Sequence, residues 1–160
     1  LVAYPDGKDA DGTPRYSIGY GTKSFAGEEI TAEEAWTRFD TEYERHAAPL
    51  LTGNAISNFH ELPADLQYGL IDFTYNMGPN VWKDWTETKK YIEELDFAAA
   101  AREFDKGLGK GWNIGWDDAD GNKIYRDEHG KHPRVQRLID LFNLWAVRLN
   151  MEAEDKGYVR

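Results

Sequence analysis

The chain has no cysteine among its 160 residues, which excludes disulfide staples and thiolate chemistry and leaves packing alone to hold the fold. That absence leaves the compartment open, because export does not require cysteine. No run approaches the roughly 18 apolar residues of a membrane-spanning helix. The start also lacks the charged segment and apolar stretch that direct secretion, so any export signal is expected upstream or from another protein. Basic residues are scarce: 19 Lys and Arg stand against 29 Asp and Glu, a net charge of −10. Nucleic acid is a poor partner for such a chain, since phosphate binding needs a basic face. His46, His60, His129 and His132 are scattered, with no second ligand at metal spacing, so no zinc site is expected. No G-x-S-x-G occurs, which removes the usual mark of a serine hydrolase.

What is plentiful is aromatic. Six Trp and nine Tyr exceed what a minimal core needs, and they suit either ordinary packing or the lining of a groove. The length fits one domain, or two lobes sharing a helix, able to bury about two-thirds of the unfolded surface. Residues 1–30 read as a small β-rich lobe: Gly7, Gly12 and Pro14 punctuate it, and Asp11-Gly12 is a tight-turn dipeptide between short strand-like runs. Thr31 and Glu34 form a capping box, after which Ala35, Trp36, Phe39, Tyr43, Ala47 and Leu50 recur at helical spacing, predicting a connecting helix over 31–50. Leu66, Leu70, Phe73 and Met77 mark one buried stripe on a helix from Ala64 to Met77, ended by Gly78 and Pro79.

Tyr91, Ile92 and Leu95 suggest a further helix over 86–95, and Asp96 caps an alanine-rich one over 97–106 that Gly107 and Gly109 terminate. Between Gly111 and Pro133, the residues Trp112, Trp116, Asp120-Gly121 and Tyr125 predict a hairpin inserted in the helical region, long enough to be functional. A last helix from Arg134 to about Met151 carries Val135, Leu138, Ile139, Phe142, Trp145 and Leu149 on a broad apolar face. Residues 152–160 read as a frayed polar tail. The runs Asp9-Ala10-Asp11-Gly12 and Asp118-Ala119-Asp120-Gly121 invite a calcium-loop reading, but Gly7 and Trp116 stand where the first acid ligand belongs. Turn chemistry explains both.

Two residues point to hydrolysis. Asp6 ends the lead-in Leu1-Val2-Ala3-Tyr4-Pro5-Asp6, and Ser17 sits in Arg15-Tyr16-Ser17-Ile18-Gly19-Tyr20-Gly21-Thr22, ahead of glycines whose missing side chains let a ligand approach the backbone. A carboxylate that takes a proton from water, beside a hydroxyl that orients the same water, is what cleavage of an unactivated acetal requires. The plainer alternatives are a turn Asp bonding its own backbone and a solvent-facing strand hydroxyl.

The same motifs, with Ile30-Thr31-Ala32-Glu33-Glu34-Ala35, Leu70 to Gly78, Phe97 to Phe104 and Pro133 to Ile139 in that order, resemble the phage-type lysozymes. These are the endolysin family of glycoside hydrolases that cut peptidoglycan, and the resemblance spans Leu1 to about Phe142. It implies a mainly α, α+β fold of two lobes: a β-hairpin lobe and a larger helical lobe over 51–151, joined by the long helix. It implies a muramidase acting on the β-1,4 bond between N-acetylmuramic acid and N-acetylglucosamine, with inversion and without cofactor or metal. Asp6 would be the general base and Ser17, where most relatives have Thr, would position the water. The general acid would be a Glu on a short helix upstream of Leu1, held by Arg134, while Tyr75 and Asn76 would line the sugar groove. Arg137, one turn on, reads as a surface ion pair. The implied partner is the glycan of the bacterial wall, reached by a lysis protein made in a host cytoplasm or by a domain carried in a virion. The acidic balance disfavours long-range attraction to an anionic wall. It suits slightly better an alternative, a lysozyme-like module without activity that binds glycan or serves a virion structurally. A third possibility, transglycosylation or chitinase-like cleavage, would dispense with Asp6.

Overall fold

The computed structural model describes residues 1–9, 11–109 and 133–156, with side chains through 106 and from 135. It is mainly helical, with one three-stranded antiparallel sheet. The chain forms two compact units, one holding Leu1–Arg45 and the other beginning at His46. The hairpin expected over 111–133 lies, apart from Pro133, outside the described residues.

In the first unit β1 (Tyr4–Lys8), β2 (Pro14–Ile18) and β3 (Thr22–Ser24) follow one another in chain order. The turn from β1 to β2 is closed where Asp9 O accepts from Gly12 N at 2.9 Å and Asp9 N donates to Thr13 O at 2.8 Å. Asp11 is a turn residue: its Oδ1 accepts from Thr13 N at 2.9 Å, which lowers its pKa below the ordinary carboxylate range. Strand alternation sends Ile18 to the face that packs with Ile30, Ala35 and Ala3, the small core of this unit.

Helix α1 (Ala32–Leu51) opens with the expected box, Thr31 N donating to Glu34 Oε2 at 3.0 Å and Glu34 N to Thr31 Oγ1 at 3.1 Å. Its predicted stripe is only partly buried. Ala35, Ala47 and Leu50 are core, whereas Trp36 is 52% exposed and instead meets Tyr20 and Phe39 at ring centroid distances of 4.5 and 5.9 Å. Glu28 ties the loop before α1 to the helix: Arg38 donates to Oε1 at 2.8 Å and Ser24 to Oε2 at 2.6 Å.

In the second unit α2 (Ala64–Met77) has the predicted bounds and ends where Gly78, at φ 95°, donates to Thr74 O. Leu66, Leu70 and Phe73 are buried as expected. Gly69 admits the last helix, α5 (Pro133–Asp155): a Cβ there would stand 2.7 Å from Leu138 Cδ1. Helix α5 continues past Met151 to Asp155, into the segment expected to fray. Around α2 an aromatic cluster forms, with Phe73 5.2 Å from Phe104 and Phe104 5.5 Å from Phe142. Each such ring contributes about 1.5–3 kcal/mol by leaving water.

Helix α3 is Thr86–Glu93 and α4 is Phe97–Gly109, so α4 passes through Gly107 before it ends. Leu95, expected on the apolar side of α3, lies beyond the helix end with φ 58° and is 50% exposed. Asp96 N donates to Tyr91 O and Leu95 N to Ile92 O, the paired bonds of a helix stop that ordinarily has glycine where Leu95 stands. The next residue, Asp96, then caps α4 through Ala99 N at 3.0 Å. The turn is tight because one helix ends and the next is capped within two residues, so Leu95 takes the left-handed conformation.

Two expectations follow. Leu95→Gly should raise the urea midpoint, worth about 0.5–1 kcal/mol, with unchanged m. The Arg38 guanidinium, then the Ser24 hydroxyl, hold the Glu28 carboxyl below its ordinary value of 4.5. The native state therefore binds fewer protons there than the unfolded chain. The stability this contributes is full above the unfolded pKa and is lost as pH falls through the lower folded one. Glu28→Gln should make the decline in denaturation midpoint below about pH 5 shallower.

Candidate active site

The β1–β2 pairing contains an irregularity that bears directly on Asp6. Tyr4 faces Ser17 and Pro5 faces Tyr16, but the next registered pair is Lys8 with Pro14. Asp6 and Gly7 therefore oppose Arg15 alone, a β-bulge, the device by which strands bend and re-aim a side chain. Gly7 takes φ 78° there, and Arg15 Nε donates to Asp6 O at 3.1 Å. Asp6 thus sits within β1, not in a turn, and its carboxylate is not spent on its own backbone.

Its partner is Ser17. The Ser17 hydroxyl donates to Asp6 Oδ2 at 2.5 Å, at the short end expected for an O–H donor on a carboxylate. Ser17 is 4% exposed and lies in the central strand between Tyr4 and Lys23. Because side chains alternate along a strand, its hydroxyl occupies the face opposite that of Ile18 and the apolar core. The solvent-facing alternative for this hydroxyl is thereby set aside. With its proton committed to Oδ2, the serine oxygen presents acceptor lone pairs, and Oδ1 of Asp6 offers more. Two acceptors fixed side by side suit a molecule with two protons to give, such as water.

The glycines after Ser17 serve packing. A Cβ on Gly19 would stand 2.8 Å from Ala35 Cβ, so its missing side chain lets α1 approach the sheet, and Gly21, at φ 89°, shapes the turn into β3. An opening for a ligand is not what Gly19 provides.

The expected groove residues Tyr75 and Asn76 lie in the last turn of α2, in the second unit. Asn76 Nδ2 donates to Asp72 O at 2.6 Å, and the Tyr75 ring packs 5.1 Å from that of His46. Arg134 is in the first turn of α5, and its side chain is outside what is described; Arg137 is exposed. Of the four histidines, His60 Nε2 meets Leu51 O at 2.7 Å, and His129 and His132 lie outside the described residues. No group of three or more His, Asp or Glu among the described residues could hold a metal.

A feature that pattern reading missed is the exposed pair Tyr20 and Trp36. Trp36 matched the helical stripe, and only the close approach of the β2–β3 turn to α1 shows that it packs against Tyr20, with the rings tilted, at the surface.

Gly7→Ala tests the bulge. A methyl at φ 78° is strained, and its Cβ would stand 3.1 Å from the Arg15 guanidinium. The variant should lose about 1–2 kcal/mol in chemical denaturation and shift the amide resonances of Asp6 and Ser17.

No protein-family model matches the chain, and no curated protein matches it in sequence. Solved structures do. The muramidase domain of SpmX from Asticaccaulis excentricus aligns over 88% of this chain and 84% of its own, with a TM-score of 0.54 and 16% identity. An endolysin from Escherichia coli O157:H7 phage FAHEc1 aligns over 91% and 82%, with a TM-score of 0.53 and 23% identity. The chain has a lysozyme-like α+β fold, as the resemblance in its sequence implies.

Proposed function

We propose that this chain is a peptidoglycan hydrolase of the muramidase type, cleaving the β-1,4 bond between N-acetylmuramic acid and N-acetylglucosamine with inversion. The observation that carries the reading is the Ser17–Asp6 pair at 2.5 Å on a lysozyme-like fold. A water giving one hydrogen to Asp6 and the other to Ser17 Oγ keeps a lone pair for the anomeric carbon. Asp6 takes the proton as the new C–O bond forms. The glycosidic oxygen, leaving with its bonding pair, must be protonated by an acid, and the reading assigns that role to a Glu ahead of Leu1. Inversion needs room for the water, which corresponds to carboxyl groups roughly 6.5–9.5 Å apart. Tyr75, Asn76 and Arg134 are proposed substrate-binding residues, and no cofactor is needed. The place of action is the bacterial wall, as a free lysis protein or as part of a virion.

Clearing of purified peptidoglycan tests this, using the protein extended through its upstream residues. Asp6→Asn and Asp6→Ala should each lower the rate about 10²–10⁴-fold, the range for loss of a general base, with folding checked by circular dichroism. Ser17→Ala should fall between these variants and the parent, and Ser17→Thr, which keeps the hydroxyl, should stay active. Clearing by Asp6→Ala at the parent rate would overturn the base assignment and favour a reaction that needs the acid alone. Retention of glycan without clearing by the parent would favour the inactive binding module.

A further inference from the structure

The second unit carries a pocket of about 560 Å³ lined by the end of α1, the segment after it, the turn after α2 and one residue of α3. Its volume lies within the range of small-ligand sites, roughly 300–1,000 Å³. The walls are mostly apolar, from Pro49, Ala55, Pro79 and Trp82, with the side chains of Asn54 and Asn80 among them. Among the described residues, the charged ones on the lining are Lys83 and Lys89. In a chain of net charge −10, two ammonium groups and no carboxylate among the described residues of one concave surface is a local inversion of sign.

Neither lysine is neutralised well within the fold. The Lys83 ammonium makes no ion pair or hydrogen bond among the described residues, and Lys89 reaches Glu93 only at 3.9 Å on the surface. Glu93 Oε1 already accepts from Ser57 N at 2.8 Å. The wall is also stiff where it needs to be. Trp82 is anchored through its Nε1, which donates to Thr74 Oγ1 at 2.9 Å, and Pro49 O accepts from Ala55 N at 2.7 Å.

We propose that this pocket binds a short acidic peptide with small side chains. The ammonium groups would take its carboxylates, the two Asn amides its peptide groups, and the Trp82, Pro49 and Pro79 surfaces its methyl groups. A polyol phosphate would satisfy the lysines but leave the apolar walls unused. The proposal rests on the peptidoglycan reading for its biological source, since peptidoglycan carries acidic peptides on its glycan strands; the pocket chemistry stands on its own.

The test is titration of the 15N-labelled protein with the dipeptide L-Ala-D-Glu, its diamide, inorganic phosphate and N-acetylglucosamine. Saturable shifts of the Asn54 and Asn80 side-chain amides and the Trp82 indole are expected with the dipeptide, and affinity at least tenfold weaker with the diamide. Lys83→Gln, which removes no ion pair or side-chain hydrogen bond among the described residues, should weaken dipeptide binding tenfold or more. The proposal is overturned if these resonances do not move, if Lys83→Gln binds equally, or if phosphate or N-acetylglucosamine binds there as tightly as the dipeptide. No bond is cleaved in this experiment, so failure here leaves the hydrolase reading to the clearing assay, and failure there leaves this binding measurement intact.

Discussion

The hydrogen bond from Ser17 to Asp6 is the constraint on which the functional geometry hangs, and it forms beside an irregularity of the hairpin. In an even antiparallel ladder Asp6 would stand opposite Arg15, with Ser17 a diagonal neighbour some 7–8 Å away along the pleat. One extra residue in β1 breaks that register. The bulge needs a left-handed residue, which Gly7 supplies, and a brace on the displaced backbone, which Arg15 supplies through Asp6 O. A bond between a hydroxyl and a carboxylate is worth about 1.5–3 kcal/mol. Here its larger consequence is chemical: the one hydroxyl donor is used up internally, and the pair is left with acceptors.

The sheet that holds this pair is thin. Ile18, Ile30, Ala35 and Ala3 are a small core for the stretch Leu1–Arg45, so polar ties carry an unusual share of its definition. Glu28 gathers Ser24 and Arg38, and Thr31 with Glu34 starts α1 at a defined residue. The second unit is built on the opposite plan. Phe73, Trp85, Phe104 and Phe142 interlock, and the neighbouring Trp82 packs on Phe73 while its Nε1 donates to Thr74 Oγ1. Several aromatics whose abundance allowed a groove reading are therefore core residues, while Tyr4, Tyr20, Phe25, Trp36 and Tyr68 are among those left at the surface.

Signals confined to a few neighbouring residues were readable in the sequence. The α1 capping box, the α2 stripe with its glycine stop and the Asp96 cap each depend on side chains within one or two helical turns, and each appears where spacing places it. What could not be read depends on contacts distant in the chain or on backbone compromise. Trp36 has helical periodicity, but periodicity does not say which of two neighbours, sheet or solvent, a face meets. Leu95 continues an apolar pattern that the capped start of α4 overrides. For the candidate site, the bulge that joins Asp6 to Ser17 was invisible because two residues opposing one is a property of a pair of strands. Their pairing was anticipated through the family resemblance, not from spacing alone.

Charge count was the least informative feature of the sequence, and the structure shows why. At physiological ionic strength a surface charge is screened beyond roughly 8 Å, so a net charge of −10 acts as a set of separate neighbourhoods. In one, Asp6 is joined to a neutral hydroxyl while Arg15 Nε is bound to the Asp6 carbonyl; in another, Lys83 and Lys89 share a concave wall with no acid among its described residues. On the proposed reading, a sugar ring at the first would meet acceptors held in place, and global repulsion of an anionic polymer would be compatible with local recognition of its parts, because the two act over different distances. Where contact is made, the sign that matters is that of the nearest few side chains.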